Sequence, residues 1–209
     1  VSIRETKTTA RAETVARAAL ALVDSGGLES LTMRKLATSL DMQLPTIYRL
    51  FDGKQALIDE MAEVILAEVP ERMERDGADW RARAADFAKA MRSALLAHRD
   101  GARIVGGSYT TKRPTLTVAE EVFAIWRDAG FSPESALLAC TTLFCYVLGE
   151  VLEQQGADGV ERGELLAAVL PGAAYPHVAT TPMDLFFDFE ARFEFGLRVL
   201  LAGLSAELR

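Results

Sequence analysis

The stretch from Leu31 to Phe51 constrains this chain more than any other. Apolar residues at 33, 36, 37 and 40, and again at 44, 47, 48 and 51, follow the i, i+3, i+4, i+7 spacing that turns one helix face toward a core. Asp41-Met42-Gln43 separates the two runs as a tight turn. Thr32 stands where a hydroxyl can accept a first-turn N–H, and Pro45 where a missing N–H costs nothing. Two short helices across a three-residue turn, with Arg34, Lys35, Thr46 and Arg49 facing outward, read as a helix-turn-helix, a motif that sets its second helix in the major groove of DNA.

Charge supports that reading only when it is divided along the chain. The 209 residues carry a net charge of −7, but residues 1–54 hold eight Lys/Arg against six Asp/Glu, leaving −9 for the rest. Phosphate binding depends on local contacts and released counterions, so a mildly basic headpiece on an acidic body suffices. Half of the residues are apolar, enough for a full core. No continuous apolar run approaches the roughly 18 residues that span a bilayer, and the start of the chain lacks the form of a signal peptide. A cytoplasmic protein, nucleoid-associated when bound to DNA, is expected, with no membrane partner. Cys140 and Cys145, five apart in a helical apolar segment, are expected as buried thiols without a disulfide.

Periodicity and punctuation predict helices throughout. The first runs from about Thr9 to Ser25, stopped by Gly26-Gly27; a fourth starts near Lys54, carries Leu57, Met61, Val64 and Ile65, and breaks at Pro70. Asp79 is placed to cap a fifth helix with the stripe Trp80, Ala84, Phe87, Met91 and Leu95. Further helices are expected at 101–107, 116–129, 133–155 and 182–208, with Glu161 to Leu170 a candidate short one. The fold class is therefore all-α: a three-helix headpiece with the helix-turn-helix (1–54) and a larger ligand-binding and dimerisation domain (55–209). The helices at 133–155 and 182–208 are apolar around much of their circumference, and a homodimer accounts for the surplus face. Phe186, Phe189, Phe193, Leu197 and Leu200 are its expected interface.

These motifs resemble the TetR family of bacterial transcriptional regulators. The headpiece likeness rests on Leu31-Thr32-Met33-Arg34-Lys35-Leu36-Ala37, Pro45-Thr46-Ile47-Tyr48 and Lys54-Gln55-Ala56-Leu57-Ile58-Asp59. Ala94 to Ala102, Ala129 to Ser132, Val147 to Glu153 and Phe193 to Leu197 resemble the ligand-binding body of the family's tetracycline repressors. The resemblance implies a homodimer on a double-stranded DNA operator, released by a small-molecule inducer, with the fourth helix coupling the two sites. It places DNA contacts at Arg34, Leu44, Pro45, Thr46, Tyr48, Arg49, Leu50 and Lys54. Tyr48 also falls on the packing face of its helix, so core and phosphate contact are both open. Leu44 and Leu50 replace polar residues of those repressors, which implies a different operator.

The same likeness implies an inducer pocket lined by Phe87, Met91, Val105, Tyr109, Glu121, Leu137 and Cys145. Tetracycline repressors hold the Mg²⁺ of the drug chelate with a histidine just after the Arg-Asp-Gly-Ala turn. Val105 occupies that position here, so the implied ligand is mostly apolar, with no metal and no cofactor. Glu153 matches an acidic residue near that metal's water shell. Other functions find little support. His98 and His177 are the only histidines, and neither has ligands at zinc spacing. His98-Arg99-Asp100 echoes a kinase catalytic loop without its glycine-rich loop or Asp-Phe-Gly. A ligand-binding or scaffold protein without DNA reading is the other alternative, and the presence of Arg34, Arg49 and Lys54 argues against it.

Overall fold

The structure, a computed structural model, describes residues 3–73, 79–157 and 175–208, all helices and turns. Its helices are α1 (Ile3–Gly26), α2 (Met33–Ser39), α3 (Leu44–Tyr48), α4 (Lys54–Ala67), α5 (Val69–Arg72), α6 (Trp80–Leu96), α7 (Gly101–Gly106), α8 (Arg113–Asp128), α9 (Pro133–Ala157), α10 (Pro176–Ala179) and α11 (Phe189–Ala206). The candidate helix at Glu161 to Leu170 lies outside the described residues.

Helices α1 to α3 enclose a small core of Val15, Ala19, Leu20, Val23, Leu31, Leu36, Ile47 and Phe51. Thr32 caps α2 by accepting the N–H of Lys35 at 3.1 Å, and Pro45 sits in the first turn of α3. Asp41 takes a left-handed backbone, φ 49°, which makes the tight turn between them. Helix α4 packs on α1 and also on α7 and α8, so it serves headpiece and body at once. It ends at Ala67, just before Pro70, which sits in the first turn of the separate short helix α5, where its missing N–H costs nothing.

The body is built on α6, α8 and α9, with α11 laid across α6 and α9. Trp80, Trp126 and Phe131 meet as an aromatic triangle with centroids 5.5–5.6 Å apart. Where α11 crosses α9, Phe193 stacks on Tyr146 at 5.6 Å, and the Tyr146 hydroxyl donates to the Phe193 carbonyl at 2.6 Å. That approach requires Gly196, because a Cβ there would stand 2.6 Å from the hydroxyl oxygen. Burial pushes the Tyr146 phenol up to about 12, so it remains a donor across the physiological range.

Several boundaries differ from those predicted. Asp79 precedes α6 without making a cap hydrogen bond, and it pairs with Arg81 at 3.7 Å instead. Helix α8 starts three residues earlier than expected, because its first turn is capped from another helix. The last helix starts at Phe189, where Asp188 caps it by accepting the N–H of Ala191 at 2.9 Å; Met183–Phe186 is a separate 3₁₀ turn. Helix α9 is long and apolar enough to cross a membrane, contrary to the expectation that no segment is. Thr and Cys interrupt its aliphatic run without adding charge, and its stripe Ala136, Ala139, Leu143, Val147, Val151 packs into the body.

Candidate nucleic-acid interface and effector pocket

Arg34, Leu44, Tyr48 and Lys54 line one shallow depression on the outside of the headpiece, together with Thr32 and Glu29. Tyr48 is 51% exposed, so its ring is not part of the core; Ile47 and Phe51 fill that role. Arg34, Pro45 and Arg49 are exposed beside it, and Thr46 is half-buried. Lys54 donates from Nζ to the Leu28 carbonyl at 3.1 Å, which holds its ammonium at the edge of this face. Leu50 departs from the expected set: it packs against the headpiece core and lines the cavity between α1, α4 and the start of α8. The next turn of chain after α3 carries it inward, with the Leu50 N–H bonded to the Ile47 carbonyl at 2.9 Å.

The pocket residues divide into two groups. Phe87 and Met91 on α6 and Val105 on α7 are buried in the body core, and Glu121 on α8 is half-buried. Tyr109 is 98% exposed. Its neighbours explain why: the Ser108 hydroxyl donates to the Ile104 carbonyl at 3.0 Å and the Thr110 hydroxyl donates to Glu63, so both flanks are tied inward and the ring between them projects out. Leu137 and Cys145 are exposed, because the buried stripe of α9 lies on its other side. Only Cys140 approaches the expected buried state, its thiol pushed up to about 11 by burial. Glu153 is exposed. Among the described residues, no group of three or more His, Cys, Asp or Glu is placed to hold a metal ion.

Polar ties, none of them expected from sequence, join headpiece to body. Asp24 at the end of α1 accepts the Arg99 N–H at 2.9 Å, and Asp100 accepts the Leu28 N–H at 2.8 Å. His98 lies between Asp24 and Glu68, with ring nitrogens 3.4 and 3.3 Å from their oxygens. Desolvation works to raise the Glu68 carboxyl, but hydrogen bonds from Arg72 and His98 outweigh it and hold the group below its usual range. Gln155 of α9 bonds the carbonyls of Leu95 and His98 and the N–H of Ala102, which fixes the turn between α6 and α7. That turn also needs Gly101, since a Cβ there would lie 2.1 Å from the Leu95 carbonyl oxygen.

Sequence comparison agrees with this architecture. Residues 16–61 match the family of bacterial regulatory proteins, tetR family, and residues 74–208 match the tetracyclin repressor-like C-terminal domain. The chain belongs to the TetR family. It is 38% identical over 194 residues to the tetracycline repressor protein class G of Vibrio anguillarum, covering 92% of each. A possible TetR family transcriptional regulator from Streptomyces coelicolor A3(2) is 40% identical, with TM-score 0.83 over 93% of this chain and 98% of that one. The TetR family protein ActR of Streptomyces coelicolor, solved in complex with actinorhodin, is 27% identical, with TM-score 0.80 over 94% and 95%. The chain is thus a TetR-family ligand-responsive DNA-binding regulator.

The residues expected at the interface on the last helix divide between the subunit core and its surface. Phe193 and Leu197 are buried within the subunit, where Arg92 stacks its guanidinium 4.7 Å from the Phe193 ring. Phe189 and Leu200 are half-buried and Phe186 is exposed. Also exposed on α11 are Ala191, Phe195, Val199, Ala202, Gly203 and Ala206, and on α9 Leu138, Thr142, Cys145, Gly149 and Leu152. Phe193 is buried and Phe195 exposed because a step of two residues on a helix turns a side chain by roughly 200°.

Proposed function

We propose that this TetR-family chain acts as a homodimeric repressor that a mostly apolar small molecule releases from a palindromic operator. The observation that carries the DNA half is the convergence of Arg34, Leu44, Tyr48 and Lys54 on one exposed depression beside α3. In this reading Arg34 and Arg49 donate to guanine edges, while Tyr48 and Lys54 take phosphate oxygens. Leu44, Pro45 and Thr46 make the remaining contacts; Leu50 faces inward and leaves the set. Two copies pair through the open stripes of α9 and α11, whose exposed Leu138, Leu152, Phe195 and Val199 form an apolar face a second copy would bury.

The effector half rests on Phe87, Met91 and Val105, three apolar side chains in one core, with half-buried Glu121 of α8 as the polar handle of this reading. Val105 offers no metal ligand, so a drug–Mg²⁺ chelate loses its protein anchor. ActR, a protein of this shape, is solved in complex with actinorhodin, which supports a ligand site in this fold. Release follows if the ligand prefers the dimer whose headpieces are mis-spaced, since equal affinity for both states shifts nothing. Helix α4, in contact with α1 of the headpiece and with α7 and α8 of the body, is the lever.

Selection of duplexes from a random-sequence library by the full chain tests the reading. Recovery of a palindromic site, bound with a steep salt dependence, supports it. Recovery of no sequence preference would leave a ligand-binding protein without DNA reading.

A further inference from the structure

Helix α8 opens without an acceptor of its own for its free N–H groups: Lys112, at its cap position, makes no side-chain cap bond. The acceptor comes from α4. Glu63, only 3% exposed, accepts the Thr115 N–H at 3.0 Å through Oε2, and the Thr115 hydroxyl at 2.9 Å and the Lys112 N–H at 3.2 Å through Oε1. The Thr110 hydroxyl donates to the same Oε1. One turn earlier on α4, buried Glu60 pairs with the Lys112 ammonium. Two carboxylates three residues apart on one face of α4 therefore hold the first turn of α8, one as a cap supplied across the fold and one as an ion pair.

We infer that Glu60 and Glu63 are positioning residues that couple α8, and with it the side of the effector pocket carrying Glu121, to α4 and the headpiece. The inference rests on the reading that α4 carries the effector signal. A buried carboxylate stripped of its donors is far less stable than one fully paired, so a small slip between α4 and α8 is not tolerated continuously. The junction is seated or unseated, the kind of two-state contact that turns a small shift into a switch. A cavity of about 540 Å³ bounded by Ala12, Leu50, Glu60, Glu63, Lys112 and Arg113 gives α4 space beside the clamp.

The test compares wild type with Glu63→Ala by hydrogen exchange and by the distance between spin labels at Ser39→Cys and Glu120→Cys. The labels are placed in a Cys140→Ser/Cys145→Ser background, and labelled chain is diluted with unlabelled so that each pair lies in one subunit. Expected are faster exchange of the Thr115 and Leu116 amides by about tenfold or more, a broadened label distance, and weaker binding to a wild-type-selected duplex by about fivefold or more. Faster exchange with unchanged distance and unchanged duplex binding would overturn the inference, because Glu63 would then only cap α8. If Glu63→Ala does not fold, Thr115→Val removes only the hydroxyl donor and should shift the same readouts in the same direction; an unshifted distance overturns the inference there too. Should wild type select no duplex, the regulator reading fails by itself, while the label distance still decides the clamp.

Discussion

Arg103 of α7 grips Glu29 of the headpiece at both carboxylate oxygens, Nη1 to Oε2 at 3.1 Å and Nη2 to Oε1 at 2.5 Å. The same Nη1 donates to Asp100 at 2.9 Å, and the other oxygen of Asp100 accepts the Leu28 N–H. The turn before α2 is thereby fastened to the helix that carries Val105. A shift of α7 would reach the headpiece by this route as well as through α4.

The Arg103 hydrogen bonds hold the Glu29 carboxyl at about 2, below its usual 4.5. A depressed folded-state value means that the stabilisation is complete above pH 4.5 and fades as pH falls toward 2. Glu29→Gln should therefore melt below wild type by a constant margin from neutral pH to about 5, with the margin closing on further acidification. The pair is exposed, so the margin is small. Thermal denaturation across pH checks this, and a margin that widens in acid would contradict it.

Phe193 and Phe195 separate core from interface within one helix. Phe193→Ala should destabilise the subunit by about 3–5 kcal/mol in chemical denaturation, as expected for an aromatic removed from a closed core. Phe195→Glu should leave each subunit folded and yield monomers on sedimentation, because that ring is 62% exposed in the single chain. Cys145, on the open stripe of α9, should then react with a thiol reagent faster in Phe195→Glu than in wild type. Equal reactivity with an unchanged sedimentation coefficient would remove these stripes from the dimer.

The helix-turn-helix was legible in the sequence because each of its signals is local: Thr32, Pro45 and the Asp41 turn act within a few residues of themselves. Burial of Phe87 and Met91 was legible from helical periodicity on α6. Phase was harder. On α9 and α11, apolar and small residues surround the helix, so periodicity alone does not say which stripe the subunit covers, and it does not separate buried Phe193 from exposed Cys145. The junction was invisible for a different reason. Glu63 caps a helix about fifty residues away and Arg103 reaches back to Glu29, and no local pattern encodes such pairings. Glu60 and Glu63, set among the apolar residues Leu57, Met61, Val64 and Ile65 of α4, were an available hint.

On the DNA face, Lys54→Ala should weaken binding to all duplexes alike and make the salt dependence shallower by about one unit, as loss of one phosphate contact does. Arg49→Ala should cost roughly 1–3 kcal/mol and relax base preference at one position per half-site. Tyr48→Phe should weaken binding without lowering the melting temperature, since the hydroxyl lies on an exposed ring. Fluorescence anisotropy at several salt concentrations separates the three, and wild-type behaviour in all of them would move the recognition surface elsewhere.

Coupling between the effector pocket and the operator face is the central claim, and the affinity for a selected duplex, measured with and without a saturating compound, tests it most directly. The compound is chosen from aromatic and apolar candidates by its ability to raise the melting temperature of the DNA-free protein. Such a binder should lower duplex affinity about 5- to 150-fold, the span of a 1–3 kcal/mol coupling. A compound that stabilises the protein through the Phe87, Met91 and Val105 core yet leaves duplex affinity unchanged would contradict the account.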